Sequence, residues 1–247
     1  LAAKEKGFSS IGFSEHSYMD FSPYFLQFND RTEEYKKEIL RLKEKYKGDI
    51  GVYLGLEFDM FSKPDLSGFD YLIGSVHCLE TEDGIVEFDR SAEVVEGIIN
   101  KYFGGDGMEY AKAYYKTISL LPEYGKFDIL GHFDLITKHS DNYNFFDVTS
   151  DEYLSAATKA IEALAGKIPF FEVNTGAVAR GYRKNPYPAE ILIKEFKKMG
   201  FGAVITSDCH NCKMLDFEFS RAEEILKKCG FSEKYVLTDD GFKAVSI

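Results

Sequence analysis

Six short runs dominated by Val, Ile, Phe and Tyr recur along the chain, at 9–15, 50–58, 71–77, 127–135, 169–174 and 202–208. Their apolar character is nearly continuous, the pattern of strands covered on both faces, as in parallel sheets. Longer segments with helical spacing lie between and after them, over 31–47, 91–103, 107–121, 150–165, 188–199 and 217–229. Thr32 followed by Glu33 and Glu34 gives the first of these an N-terminus, and its Lys/Glu pattern a solvated face. Gly200 and Gly230 fall where helix C-terminal caps are expected. The closing stretch KYVLTDDGFKAVSI predicts two strands around an Asp-Asp-Gly turn. The opening LAAKEKG reads as the end of a helix. This alternation defines an α/β chain with parallel strands, satisfied either by a barrel or by an open doubly wound sheet. No repeat, low-complexity tract or linker divides it, so a single domain spanning 1–247 is expected.

Composition narrows the partners. Hydrophobic residues make up 45% and charged residues 29% of the chain, enough apolar material for a sizeable core. The formal charge is −11, and no dense Lys/Arg stripe offsets it, which argues against a nucleic-acid backbone as partner. A small phosphorylated substrate needs only a few local cations and remains compatible. No run approaches the roughly 18 apolar residues of a membrane span, and the N-terminus has no signal-peptide h-region. Four cysteines in a chain this long do not form a disulfide framework, and a cytoplasmic location is expected.

The ionisable residues change the picture more. Four of the five histidines stand at the ends of strand candidates: His16 in GFSEHS, His77 in GSVHC, His132 in GHFD and His210 in SDCH. Glu57, Glu172 and Asp208 occupy the same kind of position. In parallel α/β folds the C-terminal strand ends meet at one face, where α/β barrels keep their catalytic groups. Imidazoles mixed with carboxylates, without thiolates, suit zinc, manganese or iron. Asp208 and His210, two apart in an extended run, would point to one side and Cys209 to the other. Cys209 and Cys212 form a lone C-x-x-C without the second pair a zinc knuckle needs. In NTGAVARGYRKNPYP, Arg180, Arg183 and Lys184 either grip a phosphate or form a solvated basic loop. Lys138 is a further candidate of that kind. A phosphate-cradling Gly-rich loop is absent.

Taken in order, SEHS, GLEFD, GSVH, GHFD, EVNTGAVARGYR…PYP and SDCH resemble the motifs of the polymerase-and-histidinol-phosphatase (PHP) family, above all its histidinol-phosphatase branch. The resemblance implies a distorted (β/α)7 TIM-like barrel with two to three divalent ions, zinc, manganese or iron. It places Glu57 as a bridge between two ions, His77 and His132 at the second site, Asp208 at the first, and His16 with His210 at the third. Glu172 and Asn174 match a motif at the pocket. Arg180 would meet the substrate phosphate, with Asn174, Arg183 and Lys138 as further contacts. Glu57, His132 and Arg180 would carry the chemistry. Family members open on a strand with His-x-His and a third histidine soon after, none of which occurs here, so the expectation is an N-terminally truncated barrel lacking its first strand and binding fewer ions. The implied activity is hydrolysis of a small phosphomonoester, L-histidinol phosphate to L-histidinol and phosphate in histidine biosynthesis. Alternatives are a PHP-type phosphoesterase or nuclease with another substrate, or a degenerate non-catalytic metal-binding barrel. Oligomeric state is left open.

Overall fold

The computed structural model describes residues 1–21 and 31–247. A short helix α1 (Ala2–Glu5) leads into β1 (Ser10–His16), and α2 (Thr32–Lys45) leads into β2 (Gly51–Asp59). Next come β3 (Tyr71–Ser75), a hairpin of β4 (Cys78–Thr81) and β5 (Gly84–Glu87), and the helices α3 (Ala92–Tyr102), α4 (Gly107–Ile118) and α5 (Leu121–Tyr124). Then follow β6 (Ile129–Leu130), α6 (Asp151–Leu164), β7 (Phe170–Asn174), α7 (Gly176–Ala179), α8 (Glu190–Lys198), β8 (Gly202–Thr206) and α9 (Phe219–Lys228). The chain closes on the hairpin β9 (Glu233–Thr238) and β10 (Gly241–Ser246).

Six strands form one parallel sheet in the order β1-β2-β3-β6-β7-β8, each predicted apolar run contributing one. The sheet is a curled part-barrel with β1 and β8 at its edges. Its register is set by side-chain alternation. In β2, Val52 and Leu54 pack outward with Ala3 of α1, Ile39 of α2 and Ile50, the residue before β2. Tyr53 packs inward with Tyr71, Ile73, Ile129 and Val204. Outside the sheet, α3, α4, α6, α8 and α9 supply the largest core, which includes Tyr110, Tyr114, Ile161, Phe196 and Leu226. No helix among the described residues is long and apolar enough to cross a membrane.

The C-terminal hairpin covers the N-terminal end of the sheet. Phe170, the first residue of β7, lies 4.7 Å from the Tyr235 ring and 4.6 Å from that of Phe242, centroid to centroid. Tyr53 donates to Asp239, and Ser10 to the Leu237 carbonyl. With that end occupied, the opposite end, where the strands finish, is left for polar groups.

One expectation is corrected, and one element is added. The run 127–135 predicts one long strand, yet β6 spans only Ile129–Leu130 and the chain turns into a 3-10 helix over Leu135–Thr137. Buried Asp134 explains the turn: its backbone accepts from Thr137 while its carboxylate accepts from the Ala189 N–H. The β4/β5 hairpin was not anticipated; its turn sits on Glu82 and Asp83, ahead of Gly84 with φ of +102°.

Candidate metal centre

The pleat of β2 sends Glu57 and Asp59, two residues apart, to the same side of the sheet. The β1–β2 register sets His16 directly beside Glu57. His77 follows the end of β3 by two residues, and His132 follows β6 by two. Five side chains distant in sequence thus meet at the C-terminal ends of four adjacent strands.

Three imidazole Nε2 atoms converge on the Glu57 carboxylate. His132 Nε2 is 2.9 Å from Oε1, His77 Nε2 is 3.6 Å from Oε1, and His16 Nε2 is 3.7 Å from Oε2. Neighbouring rings stand edge to face, with centroids 5.1 Å apart for His16 and His77 and 4.7 Å for His77 and His132. On the far side of two of these rings lies Asp59, fully buried, its oxygens hydrogen-bonded to Nδ1 of His16 at 3.0 Å and to Nδ1 of His77. Two overlapping groups have potential ligand atoms within 4.8 Å of one another: His16, Asp59 and His77, and Glu57, His77 and His132.

The electrostatics follow from this crowding. Burial opposes ionisation of Glu57, but the facing imidazoles outweigh it and hold the carboxyl well below its usual range. Asp59 is lowered in the same way, against its burial, by His77 and His16. Burial likewise opposes charge on His132, yet the hydrogen bond and charge of Glu57 carry its imidazole up to about 9. His16 is raised well above the ordinary value against burial by Glu57 and Asp59. Without a metal, protons therefore supply the positive charge that two buried carboxylates demand. His132 Nδ1 remains buried without a partner. A carboxylate faced by imidazoles, with a second carboxylate behind them, is a donor set that fits a divalent cation.

The other expected site residues fall into a second group. Strand β8 ends at Thr206, and Asp208 has φ of +41°, so Asp208 and His210 are not in an extended run. Their side chains are brought near one another by a turn rather than by the pleat, which corrects the sequence reading. Gly176 leaves room for that turn, since a Cβ there would come within 2.9 Å of Asp208. Arg180 donates to the Asp208 carbonyl at 2.6 Å and to its carboxylate at 2.9 Å, and lies 3.0 Å from His210 Nδ1. His210 is exposed and stands outside both potential ligand groups.

Glu172 accepts from the His132 N–H, from Asn174 Nδ2 and from Thr206 Oγ1, at 2.6, 2.9 and 2.6 Å. Burial nevertheless pushes its carboxyl up, toward the neutral form. Asn174 also donates to Asp208 and accepts from the Gly176 N–H, fixing β7 to the β8 loop.

The basic loop is less free than its sequence implies. Arg183 donates to Thr137 and lies 5.0 Å from the Tyr187 ring centroid. Lys138 is paired at 2.8 Å with Asp89, whose carboxyl is lowered, against burial, by Lys138 and His77. A cavity of about 640 Å³ runs between β1 and β8 and is lined at one end by His16, Glu57, Glu172, Asn174 and Asp208.

Sequence reasoning missed Asp59 and Asp89. For Asp59 the signal was present in GLEFD, because a strand places it on the same face as Glu57. Asp89 follows the unanticipated hairpin, and no local pattern marks it. Cys78 and Cys229 are buried; Cys209 and Cys212 are more open, and all four are free thiols.

This topology, with its cluster at the strand ends, has known counterparts. The PHP domain profile matches residues 1–176, and the chain belongs to that family. A probable histidinol-phosphatase of Deinococcus radiodurans is 29% identical over 243 residues, covering 93% of this chain and 85% of the relative. Among solved structures, one from Listeria monocytogenes superposes with a TM-score of 0.75 at 19% identity, covering 90% of this chain and 91% of that one. A histidinol phosphate phosphatase from Lactococcus lactis, solved with zinc, L-histidinol and phosphate, gives a TM-score of 0.70 at 22% identity, covering 98% and 90%.

Proposed function

We propose that the chain is a divalent-metal-dependent phosphomonoesterase that hydrolyses L-histidinol phosphate to L-histidinol and phosphate in the cytoplasm, as a single domain. The observation that carries this reading is the convergence of three Nε2 atoms on Glu57 within 3.7 Å at the strand ends. Similarity to histidinol-phosphatases over more than nine-tenths of the chain supports the substrate.

Glu57, His77 and His132 would hold one ion, with His16 beside Glu57 and Asp208 across the cavity as further ligands. When bound, such ions polarise phosphoryl oxygens and lower the pKa of a coordinated water. The chain's own residues do the rest. Glu57 would receive the ion in place of the hydrogen bond it shares with His132 Nε2 at 2.9 Å. Arg180, held by Asp208, and Lys138, held by Asp89, supply fixed positive charge near the strand ends for an incoming phosphate. The buried Tyr187 ring stands edge-on to His132, with 6.4 Å between centroids. The −11 net charge keeps a nucleic-acid substrate in second place.

Phosphate release from L-histidinol phosphate in the presence of zinc, manganese or iron tests the assignment, with nucleotides and other alcohol phosphates as competitors. The expected result is selective turnover of histidinol phosphate that falls at least 1,000-fold, an order of magnitude typical for loss of metal and electrostatic stabilisation, in the Glu57→Ala/His132→Ala variant. Activity that survives both substitutions would refute the mechanism. Preference for another phosphoester would refute the substrate.

A further inference from the structure

Asp59 falls by distance within one of the two potential ligand groups, but its hydrogen bonds give it a different place. It is fully buried at the end of β2, and its two carboxylate oxygens are divided between two rings, Oδ1 on Nδ1 of His77 and Oδ2 on Nδ1 of His16. The opposite nitrogens of the same rings, Nε2, face the two oxygens of Glu57 at 3.6 and 3.7 Å. Each imidazole is therefore held between two carboxylates, one at each nitrogen.

Asp59 is itself fixed. Its N–H donates to Ser17 Oγ at 2.8 Å, its carbonyl accepts from Ser62 Oγ at 2.6 Å, and the two hydroxyls are 2.7 Å apart. The backbone near Asp59 is hydrogen-bonded as well: the Met60 N–H donates to the Ser75 carbonyl, and the Ser17 N–H to the Glu57 carbonyl. A carboxylate without freedom to turn away imposes the same demand on both rings. It accepts hydrogen bonds only, so both nitrogens facing it must carry protons.

We propose that Asp59 is a positioning residue that locks His16 and His77 as Nδ1–H tautomers, so that both Nε2 lone pairs point at Glu57 and two metal positions depend on a single buried carboxylate. Carboxylates that accept from the distal nitrogen of a ligating histidine fix the ring and raise its basicity. Here one carboxylate serves two rings. The inference rests on the reading of His16 and His77 as metal ligands. It differs from a role for Asp59 as a ligand, because a cation bound at Nδ1 would displace the protons that Asp59 accepts.

Asp59→Asn is the informative substitution. It keeps size and shape but offers one acceptor and one amide donor. The ring that meets the amide must present an unprotonated Nδ1, which puts the proton on Nε2 and removes that nitrogen from coordination. Nitrogen-15 and proton NMR of histidine-labelled, zinc-loaded protein reads the tautomers, and zinc titration reads the stoichiometry and affinity.

In the wild type, the expected result is two hydrogen-bonded Nδ1–H protons, assigned to His16 and His77 by substituting each in turn. In D59N one of these signals is lost and zinc affinity falls about 10- to 100-fold. Absence of either Nδ1–H signal in the zinc-loaded wild type overturns the proposal, even if the variant fails to fold. Unchanged zinc affinity in folded D59N overturns it as well. A wild type that binds no zinc, manganese or iron refutes instead the metal reading beneath it.

Discussion

At the residue scale the site is a problem in shared protons. Glu57 and Asp59 are buried and ionised beside imidazoles that burial alone would keep neutral. His132 is raised to about 9, so it is charged at pH 7 in the metal-free protein, and His16 is raised in the same direction. A group with a raised folded pKa stabilises the fold below its unfolded pKa, near 6.5 for histidine, and that contribution is lost as pH rises through the folded value. The metal-free protein should therefore lose thermal stability between roughly pH 6.5 and 9, read from melting temperatures across that range. Metal must displace the same protons. Zinc binding at pH 7 should release protons, detectable by calorimetry in buffers of different ionisation enthalpy, and its affinity should rise toward pH 9. Affinity that is flat across this range would contradict the assignment of these rings as ligands.

At the element scale the strands act as delivery arms. The parallel register of β1 and β2 sets His16 against Glu57, and the pleat adds Asp59 on the same face. The segment from β7 to α7 is tied to the β8 loop through Asn174, Arg180 and the close approach of Gly176 to Asp208. A methyl group at Gly176 would meet Asp208 at 2.9 Å, closer than real Cβ contacts allow. Gly176→Ala should therefore displace Asp208 and its Arg180 partner while leaving Glu57 and the three imidazoles in place. The expected outcome is a 10- to 100-fold loss of phosphatase activity, the order that small misplacement of catalytic groups costs. Far-UV circular dichroism should be unchanged and the melting temperature should fall by only a few degrees. Full activity in the variant would show that the position of Asp208 does not matter to turnover.

At the scale of the whole molecule the two ends of the curled sheet have separate tasks. The C-terminal hairpin covers the N-terminal end through Phe170, Tyr235 and Phe242, and through the hydrogen bonds of Tyr53 and Ser10. Removing residues 233–247 would uncover the apolar layer of Tyr53, Tyr71, Ile73, Ile129 and Val204. Such a deletion should lower the melting temperature and raise binding of an apolar dye, because an exposed patch of this kind favours association. Unchanged stability would mean that the hairpin is only an appendage.

How much of this the sequence contained depends on the range of the forces involved. The six apolar runs, most of the helices and the closing hairpin were legible because strand and helix periods are local, and burial on both faces leaves an uninterrupted apolar signature. The placement of His16, Glu57, His77 and His132 at strand ends was legible for the same reason. The early end of β6 was not, because buried Asp134 turns the chain through a hydrogen bond to Ala189, 55 residues away. The geometric relation of Asp208 and His210 was misread: a pleat was expected where a left-handed residue makes a turn. The partners of Lys138 and Arg183, respectively Asp89 and Thr137, lie on segments that no local pattern connects. The sequence by itself determined which residue types stand at the strand ends, since periodicity acts along the chain. Only the tertiary structure decided which nitrogen faces which carboxylate, since electrostatic and hydrogen-bond partners are chosen by distance in space.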